Sequence, residues 1–226
     1  MTVQDNAILT AISTRRSVRA FLPDAVAPEL IRTILSTAAR APSGNNIQPW
    51  QVHVVTGDTR ERLSSALLAA FNANAPMQPD YQYYPSTWRD PYLSRRRESG
   101  WSLYKLLGIQ KGDKALSKEQ HSRNFTFFGA PVVIYITIDS DMGQGSWLDV
   151  GMFIQALMTA ARGLGLHTCP QVALVGYPDV VRKELAISPD KILVCGISLG
   201  YEDTAHPANK LRTTRASVNE FSVFHQ

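Results

Sequence analysis

The chain has 226 residues, 44% of them hydrophobic and 19% charged, with a formal net charge of +4. That length suits one large domain or two small ones with a sizeable core. The excess of basic residues is mild, spread out and unaccompanied by a nucleic-acid motif, which argues against RNA or DNA as a partner but suits an anionic cofactor. No apolar run approaches the roughly 18 residues that a membrane span needs.

The N-terminus, MTVQDNAIL, lacks a basic region followed by an apolar core, so no signal peptide is expected and a cytoplasmic protein is the default. Apolar residues at 7, 8, 9, 11 and 12 predict a short amphipathic helix over 5–14, capped by Asp5 or Asn6. Arg15-Arg16-Ser17-Val18-Arg19-Ala20-Phe21 follows. Three guanidiniums and a hydroxyl within five positions offer several donors to one compact anion, because the planar fork of arginine matches two phosphate oxygens at once. Taken alone, the stretch is equally a solvated basic turn.

Pro28 at a helix start and apolar positions 30, 31, 34, 35 and 38 predict a second helix to about Arg40. Ala41-Pro-Ser-Gly-Asn-Asn-Ile-Gln-Pro-Trp50 is a polar turn-rich loop stiffened by two prolines. Such a loop is often a mere connection. Its small donors and acceptors (Ser43, Asn45, Asn46, Gln48) also suit the edge of a polar ring or a ribityl chain. Residues 50–56 alternate as a strand, and 58–73 read as a helix capped by Asp58.

From Asn74 to about Gly112 periodicity fails. Four prolines forbid long regular structure, while Tyr81, Tyr83, Tyr84, Trp88, Tyr92, Trp101 and Tyr104 crowd in beside Arg95-Arg96-Arg97. So many aromatics argue against disorder, and the segment is expected to be a lid or pocket insertion with one or two short helices, or else a satellite core. The arginine run could meet a 2′-phosphate or an acidic substrate, although an exposed charge run is the plainer reading.

Residues 114–128 suggest another helix ending at Gly129. Pro131 to Ile138 is β-branched and apolar on both faces in its centre, as a central strand should be. Ser146 is expected to cap a helix over 147–164 that is apolar almost all round. Such a helix must be buried on every side, in the protein's own centre or at a subunit interface. Gly143-x-Gly145 lacks the strand–turn–helix context of a dinucleotide fingerprint. Residues 167–174 could be a short extended segment ending in a turn at 176–178, 179–187 read as a short helix and 191–201 as a second core strand, and the tail brings Arg212 and Arg215. Cys169 and Cys195, each in an apolar stretch, are expected as reduced core residues. About four strands mixed with helices, without strict βαβ alternation, indicate an α+β fold with a mixed or antiparallel central sheet wrapped by helices.

No metal-spaced cluster occurs among the five histidines, and no nucleophile elbow, P-loop or glycosidase carboxylate pair is evident, so a cofactor is expected to carry any chemistry. RRSVRAF, the 41–50 loop, the long helix followed by Gly-Leu-His-Thr-Cys-Pro-Gln171, and the tail Lys-Leu-Arg-Thr-Thr-Arg215 together resemble the FMN-dependent nitroreductase family, in order and spacing over nearly the whole chain. The resemblance implies a single domain over 1–226 with a lid or substrate-pocket insertion at about 74–128. It implies a cytoplasmic, intertwined homodimer with two FMN sites at the subunit interface. On the matching positions, Arg15, Arg16, Ser17 and Arg19 would contact the phosphate, ribityl chain and flavin pyrimidine edge. Pro42, Ser43, Asn46 and Gln48 would come from the partner chain. Pro170, Gln171 and Val172 would present a backbone N–H to flavin N5, and Arg212 or Arg215 would return to the phosphate. Here the tail spacing is Arg-x-x-Arg where the family often carries Lys-x-Arg.

The implied reaction is two-electron, ping-pong reduction of a nitroaromatic to nitroso and hydroxylamine by NADPH or NADH, with no side chain performing the chemistry itself. Arg19 or Arg16 would tune the reduced flavin. The substrate pocket would be walled by Tyr81, Tyr83, Tyr84, Trp88, Trp101, Tyr104 and Phe125. Alternatives are the same fold acting on a quinone, an enone or a halogenated aromatic, or breaking down flavin, or a non-catalytic flavin-binding sensor or store.

Overall fold

A computed structural model describes residues 6–225. Its centre is a four-stranded antiparallel sheet in the order β1-β2-β4-β3, with β1 Gln51–Val55, β2 Val132–Asp139, β3 His167–Gln171 and β4 Lys191–Gly200. The fold is α+β, and every strand pairing is antiparallel. β2 shows why its sequence is apolar on both faces. Val133 and Tyr135 enter one core and Val132, Ile134, Ile136 and Ile138 the other, in the period of two that a pleated strand imposes.

On the first face lie α3 (Gly57–Asn72) and α7 (Pro178–Leu185), with Phe125, Phe127 and Phe128 between. On the second lie α2 (Pro28–Ala38) and α6 (Gln144–Gly163). Helix α1 (Ala7–Thr14) packs on α6. Asn6 caps it by accepting from the N–H groups of Ile8 and Leu9, while Asp5 lies outside the described residues. α3 starts one residue before the sequence suggests. Thr56 is the extended cap residue, and Asp58 sits in the first turn, where a carboxylate opposes the helix dipole.

Helix α6 begins at Gln144 with Gly143 as its cap residue, so Ser146 is inside the helix. It is not buried on every side. Phe153 and Leu157 are sealed in the core, but Leu148 is 72% and Met152 40% exposed, and the neighbouring Ile8 and Ile12 of α1 are exposed too. The 74–112 stretch is more regular than expected at its end, with α4 running from Tyr92 to Leu106. α5 (Lys114–Ser122) stops short of 128. Phe127 and Phe128 then take positive φ and turn the chain into β2. The tail adds a 3-10 turn at Pro207–Lys210 and the one-turn α8, Val218–Phe221. Among the described residues no helix is long and apolar enough to cross a membrane.

Two features of the sheet shape the site. β3 pairs only with Gly196 to Gly200, so the first half of β4 has an open edge beside it. A bulge falls at Val194, because Ile136 pairs with Cys195 and Thr137 with Leu193. The insertion occupies that edge. Asp80 Oδ2 accepts from the Leu193 N–H at 2.9 Å and from Arg182 at 2.7 Å, and the Tyr81 hydroxyl donates to the Val194 carbonyl at 2.6 Å. Backbone groups that would otherwise lack partners thereby root the aromatic segment in the sheet.

Candidate active site

Beside the free half of β4 opens a cleft of about 1020 Å³. One wall is the exit of β3, where Cys169, Pro170, Gln171, Val172 and Ala173 line it. Another wall is α6, through Trp147, Val150, Ile154 and Met158. The insertion closes a third side with Met77, Tyr81, Tyr83, Tyr84 and Arg96. Arg19 also lines it.

The Arg15–Phe21 stretch is fixed along β3. The Val18 N–H donates to the Thr168 carbonyl, and Asn209 holds the next residue. Asn209 is buried and uses all its polar capacity near the site: Oδ1 accepts from the Arg19 N–H at 2.7 Å, and Nδ2 donates to the Ala20 and Asp203 carbonyls, each at 2.8 Å. Arg19 itself reaches back to the Ser17 carbonyl at 3.2 Å.

Arg15 and Arg215, 200 positions apart, come close enough that Arg215 helps to depress the Arg15 pKa, burial being the larger cause. Among the described residues neither has an ion-pair partner. Arg215 donates instead to Thr213 and to the Thr214 carbonyl, and Arg212 to the Asn209 and Leu211 carbonyls. Arg15, half-buried, and Arg215, exposed, stand near each other without a counter-charge and make a place for an anion.

Arg16 departs from this group. Its guanidinium binds the buried Glu202 carboxylate, which also faces His167 Nε2 at 3.4 Å. A buried carboxylate requires a partner, and Arg16 supplies it. The residue expected at the flavin is committed to this internal pair.

The Pro42–Gln48 loop is exposed at Asn46 and Gln48 and holds its own shape. Ser43 Oγ accepts from the Gln48 N–H at 3.0 Å, and Gln48 Nε2 donates to the Asn46 carbonyl at 3.0 Å. Asn45, Asn46 and Gln48 all have positive φ. Asp149, buried on α6, accepts from the Gly44 N–H at 3.2 Å and anchors the turn. The loop is thus shaped in advance, with Asn46 facing solvent.

Of the residues expected to wall a pocket, Tyr81, Tyr83 and Tyr84 do line the cleft. Trp88 packs on Tyr84 and carries Arg96 over its ring. Trp101 and Tyr104 form an edge-to-face pair on α4, with ring centres 6.0 Å apart, outside the cleft lining. Phe125 corrects the expectation most clearly. It is fully buried against Phe71 and Tyr177, because the chain at 125–128 has already turned into the main core. The Gln171 side chain is also occupied: it donates to the Asn124 carbonyl and side-chain oxygens and accepts from Ser198. Only its backbone remains for a ligand.

Cys169 and Cys195 are buried free thiols, held up by burial at about 11 and about 12 respectively. Among the described residues no cluster of histidine, cysteine or carboxylate side chains can hold a metal ion.

Sequence reasoning missed Asn209, Asp149 and Glu202. A lone carboxylate within the apolar run of α6 was a readable signal for Asp149, since buried charges are rare without a task. Asn209 carries no such signal in a polar tail.

Residues 12–201 match the model of the nitroreductase family. The chain belongs to the nitroreductase family. Among its relatives, 4-nitrobenzoate reductase of Pseudomonas putida is 39% identical over 213 residues, covering 94% of this chain and 93% of the relative. Nitrobenzene nitroreductase of Ectopseudomonas oleovorans is 38% identical, covering 94% of each. The crystal structure of the FMN-dependent nitroreductase NfnB from Mycobacterium smegmatis, in complex with NADPH, superposes with a TM-score of 0.94 at 34% identity over 99% of this chain and 100% of that one. The FMN and NADPH-dependent NfnB of Sphigopyxis sp. strain HMH gives 0.93 at 36% identity over the full length of both. This nitroreductase-family chain therefore shares both fold and length with its relatives.

Proposed function

We propose that this member of the family is an NAD(P)H-dependent FMN nitroreductase acting on small electron-poor aromatics. The observation that carries the reading is the aromatic-walled cleft, lined by Arg19 and by no carboxylate, with Arg15 and Arg215 close by and without an ion-pair partner among the described residues. The donor set fits FMN. A phosphate dianion suits Arg15 and Arg215, with Arg212 in the same tail groove. The Ser17 hydroxyl suits a ribityl chain, and the backbone at Pro170, Gln171 and Val172 suits the ring's polar edge. Arg16 is the exception, since Glu202 already holds it.

Bound FMN would supply two successive two-electron exchanges, each drawing on one NADPH or NADH, that take the nitro group to nitroso and then to hydroxylamine. Arg19 places a fixed positive charge in the cleft, where it favours the more negative reduced form. Tyr81, its hydroxyl bonded to Val194, presents a rigid aromatic face to the acceptor. The apolar α6 wall and the insertion exclude water.

The working unit in this reading is a cytoplasmic homodimer. Exposed Leu148, Met152, Ile8 and Ile12 form an apolar strip on α1 and α6, which a second copy would cover. The pre-shaped Pro42–Gln48 loop would then reach the partner's cleft with Ser43 and Asn46. A single domain spans residues 1–226, its pocket insertion ending before Phe125.

A visible absorption spectrum, taken before and after NADPH and followed by turnover of nitrobenzene and 4-nitrobenzoate, tests the reading. The expected result is a yellow protein that bleaches and then regains colour with the nitroaromatic. A protein that remains colourless after incubation with FMN and gel filtration overturns it.

A further inference from the structure

The arginine run at 95–97 sits on α4, where successive residues point about 100° apart. The helix therefore sends the three guanidiniums to different places. Arg95 lines the tail groove and faces Glu220 at 3.9 Å. Arg97 lies near enough to Asp90 to help depress its carboxyl pKa, after the hydrogen bonds from Ser94. Arg96 alone lines the cleft.

Arg96 is held there by an aromatic ladder. Its guanidinium carbon lies 4.7 Å from the centre of the Trp88 ring. Trp88 follows Tyr84 at 5.5 Å, Tyr84 follows Tyr83 at 4.8 Å, and Tyr83 follows Tyr81 at 6.3 Å. Tyr81 ends the ladder, 4.7 Å from Trp147 on α6 and bonded to the Val194 carbonyl. An exposed arginine ordinarily loses rotamer entropy when it binds an anion, and stacking on Trp88 removes much of that cost in advance. Among the described residues Arg96 has no ion-pair partner, and the cleft lining contains two arginines, Arg19 and Arg96, but no carboxylate. One of these charges belongs to the Arg15–Phe21 stretch and the other to α4 of the insertion.

Resting on the nitroreductase reading, we propose that Arg96 is the specificity-determining residue of the cleft, recognising an anionic group on the molecule that enters above the cofactor. That group is a carboxylate on the aromatic acceptor or the 2′-phosphate of the reductant. Both are planar or tetrahedral oxyanions that the guanidinium fork engages with two parallel hydrogen bonds. The rest of the occupant lies along the tyrosine faces.

The test uses the FMN-loaded protein and compares R96Q, R96K and the parent chain. Steady-state KM is measured for 4-nitrobenzoate against nitrobenzene, and for NADPH against NADH. Calorimetric binding of benzoate against benzamide, and of adenosine 2′-phosphate against adenosine, reads recognition without turnover. R96Q is expected to weaken the anionic member of at least one pair about 5–10-fold, as for an exposed charge-assisted contact, while the neutral member is unchanged. R96K is expected to recover part of the loss, and the preference should shrink in high salt. A shift confined to the acceptor pair identifies the acceptor's carboxylate, and one confined to the nucleotide pair identifies the 2′-phosphate. Equal changes in both members of each pair, or no change in any ratio, overturn the proposal. If the parent binds the anionic probes preferentially, R96Q loses that preference, and no nitroaromatic is reduced, the functional reading fails while anion recognition by Arg96 stands. If it reduces nitrobenzene but R96Q leaves every ratio unmoved, only this inference falls.

Discussion

Replacing Asn209 with alanine removes three hydrogen bonds of 2.7, 2.8 and 2.8 Å from a side chain that is 4% exposed. Each is worth about 1 kcal/mol net, and the buried Ala20 carbonyl loses a partner that water cannot replace. The sum is about 3 kcal/mol, which for a chain of this size lowers Tm by about 6–12 °C. N209D separates the two halves of the interaction. The new carboxylate still accepts from the Arg19 N–H, but its second oxygen faces the Ala20 and Asp203 carbonyls without a proton. Only the protonated carboxyl can donate there, so its folded pKa rises above the unfolded value near 3.9. Stability linked to that group is therefore greatest at low pH and falls as pH rises through the folded pKa, so N209D is most damaged at pH 8 and least at pH 5. Thermal melts of parent, N209A and N209D at one protein concentration and several pH values measure both effects. FMN titration of the same proteins is expected to weaken, because Asn209 sets the backbone that aims Arg19. A Tm for N209A within about 2 °C of the parent, together with a flat pH trend for N209D, refutes the reasoning.

Burial holds the imidazoles of His53, His121, His167 and His206 below their usual value. The unfolded chain thus binds more protons around and below pH 6.5, so urea midpoints should fall as pH drops through that window and be level above it, and H121F, which keeps the ring stacked on Phe71, should reduce the slope. In G196A the added Cβ would lie 2.5 Å from Leu174 Cδ1 and 2.9 Å from its Cβ. A loss of about 1–3 kcal/mol is expected, and adding L174A should cost less than the sum of the single changes in a double-mutant cycle of denaturation midpoints. Cys169 and Cys195, with thiols pushed up to about 11 and about 12, should be silent to a disulfide reagent at pH 8 until guanidinium unfolds the chain, when both react; native-state labelling at the free-cysteine rate contradicts their burial.

Local pattern made much of this protein readable. The period-two apolar run of β2, the helices from Pro28 and Gly57, and the Asn6 cap follow from neighbours within a few positions. The polar Pro42–Trp50 loop and the clustered arginines stand out as candidate site stretches for the same reason. Phe125 was misplaced because an aromatic beside an aromatic-rich insertion looks the same whether it walls a pocket or closes a core.

The amino-acid sequence by itself determined the α+β class, the order of the elements and the segments from which a site could be made, because propensity and periodicity act over short distances. The tertiary structure alone decided how the arginines are used. Arg15 lies near Arg215, Arg16 is drawn to the buried Glu202, and α4's rotation of about 100° per residue turns Arg96 onto Trp88 while Arg95 and Arg97 face elsewhere. Charge is written in the sequence, but the partner of a charge is set by burial and by contacts between residues far apart in the chain.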